Sequence, residues 1–113
     1  MRPILVFDLD GTLVDTAPDL IDSVNHAIGT RDLPPVDELF LRPHAGRGGR
    51  VMIELAAARS GRRFADPELD DLNTLFLSHY GDNLPGRSAC FPGARAALER
   101  FAAAGFALAI CTN

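Results

Sequence analysis

Ile4-Leu5-Val6-Phe7 is a short apolar run that stops at an acid, Asp8, and soon after at a glycine, Gly11. It is too short for a helix and partly β-branched, which suits a buried strand of a parallel sheet. Asp8 through Asp15 then read as a loop leaving the C-terminal end of that strand. A second run of the same character, Phe106-Ala107-Leu108-Ala109-Ile110-Cys111, ends at Thr112-Asn113. Such strands direct the chain to an α/β architecture, with everything between them a connection.

Helical signals fill that connection. Thr16 suits a cap, with Pro18 in the first turn and Asp19 three residues on, close to a capping box. Leu20, Ile21, Val24, Ala27 and Ile28 supply one apolar face, and Gly29 suits the stop. Leu33-Pro34-Pro35 breaks the pattern, and a short helix is expected over 36–41. Gly46-Arg47-Gly48-Gly49 reads as a flexible loop feeding a helix over 50–60. Asp66-Pro67 opens another, with Leu69, Leu72, Leu75, Phe76 and Tyr80 inward and Gly81 as its end. After the Pro92-Gly93 turn comes an alanine-rich helix over 94–104, carrying Leu98 and Phe101. The whole is a sheet protein with a helical insertion after its first strand.

Composition narrows the function. The 113 residues are 47% apolar and 23% charged with a net charge of −4, which excludes a disordered chain. The mild acidity argues against nucleic acid as a main partner, since phosphate neutralisation needs clustered positive charge. No apolar run approaches the ~20 residues of a membrane span. Met1-Arg2-Pro3 and the short run behind it are too brief for a signal peptide. Cys90 and Cys111 lie outside any metal-ligand spacing, and a reduced, cytoplasmic setting is expected for them. All 11 basic residues are arginine; codon bias accounts for most of this, yet it removes any mechanism that needs a lysine from this chain.

The chemistry concentrates in Phe7-Asp8-Leu9-Asp10-Gly11-Thr12-Leu13-Val14-Asp15. Two carboxylates at i and i+2 just past a strand project from the open end of a sheet, where α/β proteins bind ligands. Gly11 lets the backbone turn sharply and approach a ligand closely. Two acids so close repel, so a divalent cation, a proton or a phosphate site is expected to balance them. For a bare Asp-x-Asp, an acidic turn in which either side chain caps the next element is the simpler reading.

The full string resembles the first motif of the haloacid dehalogenase superfamily of phosphohydrolases, a strand followed by DxDGT(L/V). Thr112-Asn113 after the second strand resembles that superfamily's second motif, and Phe91-Pro92-Gly93, the helix and Gly105 resemble its run-up. Thr16-Ala17-Pro18-Asp19-Leu20 and the Gly46–Gly49 loop resemble phosphoglycolate phosphatases with a helical cap. The resemblance implies a parallel Rossmann-like core with an all-helical cap inserted after strand one, and only the first two core strands present. Residues 1–15 and 90–113 would be partial core, and 16–89 the cap.

The resemblance also implies roles. Asp8 would be the nucleophile forming an aspartyl-phosphate, and Asp10 the general acid and then base. Mg²⁺ would bind the Asp8 carboxylate and the Asp10 carbonyl. Thr112, with Asn113, Gly11 and Thr12 around it, would hold the phosphoryl group; for Thr12 a simple turn hydroxyl is an equal alternative. An acid at position 10 disfavours dehalogenases, and the absent lysine disfavours phosphonate hydrolases, while sugar-phosphate phosphatases and phosphomutases remain open. Arg47, Gly48 and Arg50 at a predicted helix N-terminus suit a substrate carboxylate or second phosphate, against the default of surface arginines. His26, His44 and His79 show no ligand spacing and are expected at the core edge or in solvent. Asp70-Asp71 reads as a solvated helix face, and Cys111 as a buried strand residue.

The superfamily also carries a phosphate-binding lysine and an acidic Mg²⁺ loop after motif two, and neither occurs here. A fragment of a Mg²⁺-dependent phosphatase acting on a small phosphorylated metabolite, inactive alone, is the leading expectation. A binding or regulatory module that keeps only the first motif is the alternative, and a complementing second chain a third. Oligomeric state is not legible.

Overall fold

A computed structural model describes residues 2–112. In chain order the elements are β1 (Ile4–Phe7), β2 (Val14–Asp15), α1 (Ala17–Gly29), α2 (Glu38–Leu41), a 3-10 helix (Arg42–Arg47), α3 (Gly49–Ala58), α4 (Asp66–Asp82), β3 (Ala89–Cys90), α5 (Ala94–Ala103) and β4 (Ala107–Ile110). The architecture is α/β. The chain divides into two units, one from its two ends, Met1–Thr16 and Ser88–Asn113, and one from Ala17–Arg87.

The first unit is built on β1 and β4, paired in parallel in the register Ile4↔Ala107 to Phe7↔Ile110. The Cys111 N–H continues the ladder onto the Phe7 carbonyl at 2.9 Å. On one face α5 contributes Phe101, whose ring lies 6.1 Å from that of Phe7 and 5.9 Å from that of Phe106. The expectation of buried strands is corrected: Ile4 is 64% and Val6 62% exposed, and Ile110 56%. Apolar side chains mark where a strand would be covered, but a two-stranded sheet has two free edges and too little around it to cover both faces. Cys111, one residue past β4, is likewise exposed rather than buried, for the same want of cover. The 8–15 segment, expected as loop throughout, ends in β2, which pairs antiparallel with β3 through Val14↔Cys90 and Asp15↔Ala89.

The second unit holds nearly all of the core. Ile21, Val24, Ala27 and Ile28 of α1, Met52, Ile53, Ala56 and Ala57 of α3, and Leu69, Leu72 and Phe76 of α4 form one buried cluster with Leu41 and Phe64. These are the helical-period positions of each sequence, so the apolar stripes of three helices close on one another. Leu20, Leu75 and Tyr80, expected inward, sit at the half-buried edge. The flexible loop expected at Gly46–Gly49 is corrected too. Residues 42–47 wind as a 3-10 helix with a proline in its first turn, leaving only Gly48, at φ 96°, as the break before α3. Among the described residues no helix is long and apolar enough to cross a membrane.

Gly49, the first residue of α3, faces α4. A Cβ there would lie 2.6 Å from Cδ1 of the Phe76 ring and closer still to the Asn73 side chain. Gly49→Ala is expected to destabilise the helical unit by about 1–3 kcal/mol, the range for overpacking a well-filled contact, as read from urea unfolding. Gly46→Ala, where a Cβ meets nothing within 4 Å, serves as its control.

Candidate active site

The parallel register decides what β1 and β4 deliver to the end of the sheet. Phe7 pairs with Ile110, so Asp8 on one strand and Thr112 on the other follow the last rungs of the same ladder. The chain beyond Asp8 is held in a tight turn. The Leu9 carbonyl accepts the N–H groups of Thr12 at 3.2 Å, Leu13 at 3.0 Å and Val14 at 3.0 Å, and the Gly11 N–H donates to the Val14 carbonyl at 2.9 Å. Gly11 sits at φ 75°, where any other residue type except Asn or Asp is strained. Asp8 and Asp10 therefore flank one anchored residue, Leu9, whose own N–H donates to Asp8 Oδ1 at 2.8 Å. The far side of the turn is anchored as well, because the Phe91 N–H donates to the Leu13 carbonyl at 3.0 Å.

Asp8, Asp10, Gly11, Thr12 and Thr112 are all exposed at this end. Asn113 lies outside the described residues. The donor set is hard oxygen, the type Mg²⁺ accepts from one or two carboxylates while keeping waters and phosphate oxygens. It is a partial set: among the described residues no group of three or more His, Cys, Asp or Glu side chains is placed to hold a metal ion.

The arginines expected to read the substrate belong to the helical unit. Arg47, exposed, is 3.2 Å from the Nδ1 of His44. Arg50 is turned onto α4, where its guanidinium pairs with Asp70 and reaches Asp66 Oδ1 at 3.5 Å. Asp70 is thus an ion-pair partner as well as a solvated face. Gly48 supplies the turn into α3, and its carbonyl accepts the Met52 N–H at 3.1 Å.

A polar cluster that sequence reasoning did not find sits between the start of α1 and the end of α4. A cleft of about 360 Å³ is lined by Asp22, Ser23, His79, Tyr80 and Arg87 among others. Ser23 Oγ, 1% exposed as a residue, donates to the Asp19 carbonyl at 2.9 Å and lies 2.9 Å from His79 Nδ1. The rings of His79 and His26 stack with centroids 4.3 Å apart. Hydrogen bonds to Asp22 hold the Arg87 guanidinium above its ordinary pKa against the opposing effect of desolvation, and the Asp22, Glu38 and Asp19 charges add to the rise. Fifty or more positions separate the two sides of this cluster, so no local spacing announces it.

Residues 5–113 match the family model described as haloacid dehalogenase-like hydrolase. Over 112 residues the chain is 56% identical to a phosphoglycolate phosphatase of Mesorhizobium japonicum, covering 99% of this chain and 49% of that protein. It is 42% identical over 113 residues to one from Agrobacterium fabrum, of which it covers 48%. A crystal structure of a predicted phosphoglycolate phosphatase from Haemophilus somnus superposes with a TM-score of 0.82 at 32% identity, covering 100% of this chain and 52% of that one. The chain spans about half the length of the curated relatives it matches.

Proposed function

The chain belongs to the haloacid dehalogenase-like hydrolases, and from that membership we propose that it carries the nucleophile-bearing part of a phosphomonoester hydrolase whose substrate is phosphoglycolate. The observation that supports this most is the shared end of β1 and β4, which presents Asp8, Asp10 and Thr112 together. Asp8 attacks phosphorus through a carboxylate oxygen, and the bond from phosphorus to the substrate's alkoxide oxygen breaks, leaving an aspartyl-phosphate. Asp10, protonated, gives its proton to the departing alkoxide. It then takes one from the water that attacks phosphorus, which releases phosphate and frees Asp8. Thr112 donates its hydroxyl hydrogen to a phosphoryl oxygen.

Mg²⁺ would be held by the Asp8 carboxylate and the Asp10 carbonyl, and when bound it would supply charge neutralisation for two acids and a phosphate brought together. The helical unit is the cap in this reading, and the two ends belong to the catalytic core. Arg47 and Arg50 remain candidates for the substrate carboxylate, Arg47 the better of the two because Arg50 is already paired with α4 carboxylates. The names carried by the relatives support phosphoglycolate over a sugar phosphate, and the setting is the cytoplasm.

The 113 residues by themselves are expected to be inactive, because among the described residues the nucleophile's strand has β4 as its single partner in a bare two-stranded sheet. Phosphate release from phosphoglycolate with and without Mg²⁺ tests both parts. The isolated chain should stay at the blank rate, whereas a protein of full family length carrying these residues should turn over only with the metal. Mg²⁺-dependent turnover by the isolated chain would overturn the first expectation. A full-length protein that hydrolyses sugar phosphates far faster than phosphoglycolate would overturn the substrate.

A further inference from the structure

The polypeptide enters the helical unit at Ala17 and leaves it at Arg87, and one carboxylate touches both places. Asp19, in the first turn of α1 and 6% exposed, accepts the Gly86 N–H on Oδ2 at 3.1 Å and the Arg87 N–H on Oδ1 at 2.7 Å. The Arg87 side chain doubles the connection. Its Nε and Nη2 reach the two oxygens of Asp22 at 2.9 and 2.8 Å, and Nη2 also donates to the Pro18 carbonyl at 3.3 Å. Position 86 must be small for this to form, since a Cβ on Gly86 would lie 2.6 Å from Asp19 Oδ1.

We propose that Asp19, Asp22 and Arg87 form a clasp that fastens the exit of the helical unit to its entry, so that the unit is closed at its base and its two connections form a single attachment. The physical reasons are specific. A buried carboxylate is stable only when its oxygens are hydrogen-bonded, and here two consecutive backbone N–H groups supply those bonds. The bidentate Arg87–Asp22 pair is geometrically selective in a way a lysine would not be. The 83–87 segment, an exposed stretch after α4, is tied to the start of α1 through these contacts. The clasp goes beyond the phosphatase reading and does not depend on it.

Amide exchange and limited trypsinolysis of the 113-residue chain test it without any activity assay. The chain has no lysine, so every tryptic cut reports an arginine. In the unsubstituted protein the Gly86 and Arg87 amides should exchange at least tenfold more slowly than unprotected amides. Cleavage after Arg87 should lag that after Arg63, in the exposed turn between α3 and α4, by a similar factor. Asp19→Asn should speed exchange at Gly86 and Arg87 at least tenfold while the Ile53 and Leu72 amides keep their protection. If that buried substitution instead loosens the helices, Asp22→Asn and Arg87→Lys decide, since both side chains are about half exposed. Each should raise cleavage after residue 87 at least fivefold. Unprotected Gly86 and Arg87 amides in the unsubstituted protein, or cleavage after residue 87 unchanged in both surface variants, would overturn the clasp.

Discussion

Asp8→Asn in a protein of full family length is expected to lose phosphatase turnover by roughly 10⁶-fold, the scale on which removing a covalent nucleophile acts. The amide is nearly isosteric with the carboxylate and keeps a side-chain oxygen to accept the Leu9 N–H that Asp8 Oδ1 accepts at 2.8 Å. The 9–14 turn, whose bonds are to the backbone of Leu9 and Val14, should therefore survive. The loss would then be chemical: a neutral amide is a poor nucleophile and cannot form the acyl-phosphate. Steady-state phosphate release, with circular dichroism to confirm an unchanged fold, measures it. A variant that keeps even a hundredth of the turnover would remove Asp8 from the nucleophile's role.

The second large effect is on stability. Ile53 and Leu72 are both 0% exposed and lie at the centre of the helical unit. Truncating either to alanine removes buried methyl groups and leaves a cavity between α3 and α4, at a cost of about 2–5 kcal/mol. For a unit of this size that is roughly 10 °C or more in Tm. Leu39 supplies the contrast, because it is apolar yet 80% exposed on α2. Leu39→Ala should fall within about 0.5 kcal/mol of the parent. Thermal unfolding followed at a helix-sensitive wavelength distinguishes these outcomes. Equal Tm values for Leu72→Ala and Leu39→Ala would mean that the core is not where the packing places it.

Much of this arrangement was legible in the residues, and what was hidden shares one cause. β1 occupies Ile4–Phe7, where the apolar run lies, and the buried positions of α1 and α4 are those with helical period. These features are local, set by side chains a few positions apart. The family was legible for the same reason, from one uninterrupted string around Asp8. The β2–β3 ladder was not, because two-residue strands carry no period and the partners lie some 75 positions apart. Asp19 looked like a helix-capping acid and also holds Gly86 and Arg87, which no spacing near it could announce. His26 and His79, scattered in sequence, stack because α1 and α4 happen to bring them together. The exposure of Ile4 and Val6 was hidden differently: an apolar residue states a preference for cover, and only the neighbours decide whether cover exists. For the candidate site, the sequence pointed to Asp8, Asp10 and Thr112 as candidates, while the register of β1 on β4 had to be observed to know that they share an end.

That register also imposes an order of events during synthesis. β1 leaves a ribosome roughly a hundred residues before its partner β4. At ~5–20 residues per second the first strand waits on the order of ten seconds before it has anything to pair with. The helical unit needs nothing beyond Arg87 for its core, so it is free to form during that interval. The slow, non-local step is then deferred until a folded body has brought the two ends of the chain within reach of each other.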